Sequence, residues 1–203
     1  MNTPFGVFFI WKEKKMTDTY AIYGVKQIRV TPLLDTGAED PSAVALTSTK
    51  IQKIGITDVY IDGNQSDLRG GDGVVASIQE PDIYKGHNLA ISLATVEPDL
   101  KAAMVGGVVT DDKWEAPKDA TEMPYPYKLE VWATRYTESD SESSADGYRK
   151  HTFNFCKRGR MAGKDLDQQA FSIENYTCEA RRNESDPSEI LAPWEHDDVE
   201  SIV

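Results

Sequence analysis

The chain has 203 residues, 39% hydrophobic and 28% charged, a balance that suits one soluble globular domain with a substantial core. Thirty-four acids against twenty-two bases leave a formal charge of −12, which weighs against binding nucleic acid through lysine and arginine that displace counterions. Two cysteines, Cys156 and Cys178, are too few for a disulfide framework and read as reduced thiols, and no apolar run is long enough to span a membrane.

Phe5-Gly-Val-Phe-Phe-Ile-Trp11 is apolar but short, and Lys12, Lys14 and Lys15 follow it, the reverse of a signal peptide's order. Met16 offers an alternative start, so residues 1–19 form an extension, a sticky strand that needs a neighbour to cover it. The body, 20–182, opens with a strand at Val25–Val30, closed by Thr31-Pro32. A polar connection over 35–50 holds Asp40-Pro41-Ser42, a turn or helix start. In Ile51–Ile61, Ile54 and Ile56 are out of phase with Val59 and Ile61, so that strand needs a bulge. Gly70-Gly71-Asp72-Gly73 turns the chain into Val74–Ile78, and Glu80-Pro81-Asp82 separates this from Leu89–Thr95. There Leu89, Ile91 and Leu93 share one face, the period of a half-buried strand.

A short helix over 97–105 starts at Glu97-Pro98-Asp99, where proline suits the first helical position and the acids suit the positive dipole end. Leu100 and Met104 fall on one face, and Gly106-Gly107 stop the helix in a left-handed conformation. Val108–Thr110 begins another strand, and 111–126 reads as a long loop with Pro117, Pro124 and Pro126. Lys128–Tyr136 alternates Leu129, Val131 and Ala133 against Glu130, Trp132 and Thr134. Residues 137–147 form an acidic loop or hairpin tip, Tyr148–Lys157 returns as a strand, and Arg158–Asp165 turns. Ala170–Ala180 closes the body with Phe171, Ile173, Tyr176 and Cys178 inward. From Asn183 the chain has seven acids and no lysine or arginine, so 183–203 reads as an acidic C-terminal arm. The sum is a mainly β protein: an antiparallel sandwich or partly closed barrel with one short flanking helix, long loops and an arm.

Chemistry is sparse. Gly71-Asp72-Gly73-Val74-Val75-Ala76 has the letters of a dinucleotide loop, but a strand-like run follows where a helix is required. Asp62-Gly63-Asn64-Gln65-Ser66 starts like a calcium loop, yet Asp67 and Gly73 stand where glycine and glutamate belong. His87, His151 and His196 have no ligand spacing among themselves or with the cysteines. His151 and Cys156 lie five apart on one strand, facing opposite sides if it is regular. No catalytic, cofactor or metal residue is expected, and no enzyme. Trp114, Tyr125, Tyr127 and Trp132 cluster in and after the long loop, where they either stack sugars or bases or pack onto their own sheet or a neighbouring copy. Packing is the preferred reading.

Tyr23-Gly-Val-Lys26, Thr49-Lys-Ile51, Tyr60-Ile-Asp-Gly63, Glu97-Pro-Asp-Leu-Lys-Ala-Ala-Met-Val-Gly106 and Pro124-Tyr-Pro-Tyr127 follow one another, then Tyr148–Phe155 and a closing strand around Phe171–Ala180. In order and spacing, over residues 20–182, this resembles the major tail tube protein of long-tailed, non-contractile bacteriophages. The resemblance implies a β-sandwich flanked by a helix that forms hexameric rings, stacked into the tube that conducts the genome into the host. It implies copies of itself as partners, a tape-measure protein in the lumen during assembly, and tail-terminator and distal-tail proteins at the ends. It further implies that double-stranded DNA passes without specific binding, and that the location is the virion tail, after assembly in the host bacterial cytoplasm, with no membrane partner. Ring contacts are then expected from 111–126, 137–147 and 183–203, through Trp114, Pro117, Met123, Tyr125, Tyr127, Ser139, Asp140, Pro193 and Trp194. The alternatives are another β-sandwich virion part, such as a terminator or decoration, and a monomeric glycan-binding module using Trp114, Tyr125 and Tyr127.

Overall fold

A computed structural model describes residues 20–70, 73–119, 122–137, 144–164, 173–182 and 194–202. The body is a single antiparallel sheet. Its spine is β1 (Tyr20–Pro32), which pairs on one side with the short β2 (Leu46–Ser48). The next elements in the chain are β3 (Ile51–Ile61), a hairpin of β4 (Gln65–Gly70) and β5 (Gly73–Gln79), β6 (Ile83–Leu93) and helix α1 (Pro98–Val105). A small hairpin follows, β7 (Val108–Thr110) with β8 (Lys113–Glu115), and then β9 (Tyr127–Thr137), β10 (Ser144–Lys164), β11 (Glu174–Arg181) and β12 (Glu195–Val199). The hydrogen-bonded order is β2-β1-β9-β10-β11-β6-β3, with β12 added to β10. The sheet curls until β1 and β3 approach each other, but the ladder does not close, so there is no closed barrel.

Alternation drives the curl. Leu89, Ile91 and Leu93 of β6 point inward as their spacing requires, facing Ile28 and Val30 of β1, Leu129 and Val131 of β9, Phe153 of β10 and Tyr176 of β11. Helix α1 supplies Leu100 and Met104 to the same core. Burying each large apolar side chain stabilises the fold by about 1.5–3 kcal/mol. Pro98 occupies the first turn of α1, as expected. Gly106 ends the helix at φ 89°, ψ −174°, a positive-φ conformation but an extended one rather than the left-handed helical one. Its N–H reaches back to the Ala102 carbonyl at 2.8 Å. On the other side, β10 can pass α1 closely because residue 159 is glycine: a Cβ there would lie 1.6 Å from the Met104 carbonyl oxygen.

Several expectations are corrected. Arg158–Asp165 does not turn at its start: β10 runs on to Lys164, and the irregular pairing between Lys157 and Arg160 and between Met161 and Gly163 absorbs the glycines as bulges. The 111–126 segment is not wholly loop. Asp111 and Asp112 both take positive φ, 51° and 59°, the pattern of a two-residue hairpin turn, and fold Lys113–Glu115 back on Val108–Thr110. In Ile51–Ile61 the pairing runs regularly from Lys53 to Val59, so no break separates Ile56 from Val59; the register shifts fall instead between Ile51 and Lys53 and between Val59 and Tyr60. Both faces of β9 are buried, not one. Trp132 is covered by the Arg29 guanidinium 5.3 Å from its ring, and Glu130 sits 3.8 Å from Arg29 and 3.6 Å from Lys150. Finally, the end of the C-terminal segment is not apart from the sheet: Glu195–Val199 pairs with Tyr148–Thr152. Phe171, most of 137–147 and the start of the arm lie outside the described residues.

Candidate functional site

Three surfaces stand out. The first is a ribbon. Strand β11 stops pairing with β6 at Gly86, opposite Arg181, so from there outward β6 is paired only with β3. Ile61 faces Ile83, Glu80 donates its N–H to the Asn64 carbonyl at 3.0 Å, and Gly63 donates to Asp82 Oδ1 at 2.9 Å. Gln65 and Ser66 then pair with Gln79 and Ile78, so β3–β4 and β5–β6 form one long hairpin projecting beyond the core. It carries large apolar side chains in water: Ile61 is 51% exposed, Ile78 69% and Ile83 64%, with Tyr60 beside them.

The second surface is an aromatic cluster that the sequence gives no sign of. Trp194 stacks on Phe153 at 6.2 Å and on His151 at 5.7 Å, and meets His87 edge-on at 5.2 Å. Its Nε1 donates to His151 Nδ1 at 3.3 Å, and His196, the cross-strand partner of His151, lies 6.4 Å from it ring to ring. All three histidines of the chain therefore gather around one tryptophan. His87 is buried between Tyr84, whose hydroxyl bonds its Nε2, and Asp58, whose Oδ1 lies 2.8 Å from Nδ1 but off the line of a hydrogen bond. This resembles a proton relay in outline, yet burial and the Asp58 charge push the Tyr84 hydroxyl up, the wrong direction for a nucleophile. Among the described residues, no three His, Cys, Asp or Glu side chains are gathered to hold a metal ion.

The third is a groove of about 300 Å³ beside α1, lined by Ala102, Ala103, Val108, Met123, Pro124 and Tyr125. Met123 and Tyr125 are 58% and 64% exposed, and Pro117 is half-buried nearby in sequence. The other residues expected in contacts are elsewhere. Tyr127 is 1% exposed and sits in the core, so it touches no partner. Trp114 is half-buried, donates Nε1 to the Gly106 carbonyl at 2.8 Å and carries Lys101 Nζ 4.1 Å above its ring. It fastens its own hairpin to the helix. The glycan-platform alternative loses two of its three aromatic groups this way. Trp194 is packed as described, and Ser139, Asp140 and Pro193 lie outside the described residues.

Both cysteines are buried and free; burial pushes the Cys156 thiol well above its ordinary range, whereas the hydrogen bond with Cys156 draws the Cys178 thiol below its own. The buried charges have a packing role: Lys101 Nζ sits 3.2 Å from Glu174 Oε1, and the Tyr176 hydroxyl donates to the other Glu174 oxygen. No protein-family model matches the chain, and no curated protein matches its sequence.

Proposed function

We propose that this protein is a structural subunit whose work is to assemble with copies of itself. More specifically, it is the subunit of a non-contractile phage tail tube, forming hexameric rings stacked into a conduit. The carrying observation is the projecting ribbon. A two-stranded hairpin is at best marginally stable alone in water, and this one exposes the opposed pair Ile61 and Ile83 and, further out, Ile78. Such a surface marks an interaction site, and in a ring each subunit presents it to the opposite side of the next. The order of motifs over 20–182 is what narrows assembly to a tail tube.

The charge supports the same reading. A conduit for DNA must not hold its cargo, and a subunit with a net charge of −12 repels phosphate. The tape-measure protein would occupy the lumen during assembly, with terminator and distal-tail proteins at the ends. Electron microscopy of the purified protein is the test. Six-fold rings or tubes are expected; a protein that stays monomeric at high concentration and binds a glycan through Tyr125 would defeat the reading.

A further inference from the structure

Strand β12 occupies an unusual place. It lies on the same side of β10 as β11, in line with it and running in the same direction, because both are antiparallel to β10. Ala180 pairs with Cys156 and Glu195 with Thr152. The chain thus takes fifteen residues, Ala180 to Glu195, to advance past four residues of β10. Four residues of strand cover roughly 13 Å, whereas fifteen extended residues reach roughly 50 Å, the width of a small domain and more. The connection is far longer than its own slot requires.

The slot itself is selective. At one end the Trp194 indole fills a seat made by Phe153, His87 and His151. Along the rest, Asp198 meets basic groups, 3.3 Å from Arg135 and 3.9 Å from Arg149, and Glu195 accepts from the Asn154 amide at 3.1 Å. Val199 is half-buried and the other strand side chains are exposed, so backbone pairing, one aromatic anchor and these charges hold the strand.

We propose that the seat on β10 is an interaction surface for the C-terminal strand of a second copy, exchanged between neighbouring subunits on assembly. The exchanged strand makes the same contacts as the strand in its own slot, so the two arrangements differ little in contact energy, and proximity in an assembly decides between them. The inference rests on the self-assembly reading and sharpens it by naming the seat and its occupant.

Mixing variants that each carry one added cysteine tests it. Lys150→Cys in one preparation and Asp197→Cys in another place thiols at directly opposed positions, which a disulfide can span. Tyr148→Cys with Val199→Cys is the second pair. The native cysteines are buried and do not compete. After co-assembly and mild oxidation with a small-molecule disulfide, covalent dimers containing one copy of each variant are expected from at least one pair. If neither pair links two copies, exchange is overturned. Electron microscopy of the same mixtures separates the two ideas. Rings without cross-links sink the exchange and leave the assembly reading standing; cross-links without rings do the reverse.

Discussion

Two residue-level arrangements make sharp expectations. Glu174 is 1% exposed and Lys101 6%, and the pair ties α1 to β11 while Lys101 also covers Trp114. Removing one partner leaves an uncompensated buried charge, so Lys101→Ala should lower stability by about 3 kcal/mol, read from urea unfolding. Lys101→Met combined with Glu174→Gln should cost clearly less, because no lone charge remains; an equal loss would show that packing, not charge, is what the pair supplies. His151 makes the second case. Burial, with Arg149 and His196 adding to it, holds its imidazole below the ordinary 6.5. His151 lies on β10 against Trp194 and His196, so a depressed value means that the docked state binds protons less readily than the undocked one. Docking of β12 is therefore strongest above about pH 6.5 and weakens as the pH falls through the lower, docked value. Unperturbed carboxylates titrate near about pH 4, well below this window, so a change within it reports on His151. Hydrogen exchange of 195–199, corrected for its intrinsic pH dependence, should lose protection between pH 7.5 and 5. His151→Asn should flatten that change, and unaltered protection in the native chain would refute it.

Among the elements, the ribbon separates folding from assembly. Its isoleucines touch little in the single chain, so Ile61→Asp and Ile78→Asp should each leave stability within about 0.5 kcal/mol while abolishing rings. A large fall in melting temperature instead would mean that the ribbon packs on its own body. The parts of the fold written in local pattern were legible. The inward set of β6, the Pro98 start and Leu100/Met104 face of α1, and the inward Leu129 and Val131 of β9 follow from period and capping, whereas the burial of the opposite face of β9 does not. What was not legible depends on partners far away in the chain. Arg158–Lys164 carries turn residues, yet β11 holds it as a bulged strand. Tyr127 looks like a loop aromatic but is pulled into the core by pairing with Pro32. The same cause hides the cluster at Trp194: His87, His151 and His196 are joined only once β6, β10 and β12 lie side by side, and no spacing in the sequence encodes that.

At the scale of the whole molecule, assembly sets apolar attraction against charge. Each copy carries −12, and six in the proposed ring would bring like charges together, while the exposed ribbon and the groove at Met123 and Tyr125 offer apolar contact. The Debye length falls from about 30 Å at 0.01 M salt to about 10 Å at 0.1 M, so added salt should screen repulsion between subunits more than it weakens buried apolar contacts. Ring or tube formation, followed by light scattering, should therefore quicken as salt rises over that range. The opposite trend would mean that ion pairs between subunits dominate the contact, and would move attention from the ribbon to the acidic C-terminal strand and its arginines. DNA supplies the matching control. Basic proteins bind duplexes more weakly as salt rises because they release counterions, whereas this chain should show no retention of duplex DNA at 0.15 M salt, assembled or not. Retention that fell steeply with salt would reveal a basic surface hidden within the net charge and would argue against a passive conduit.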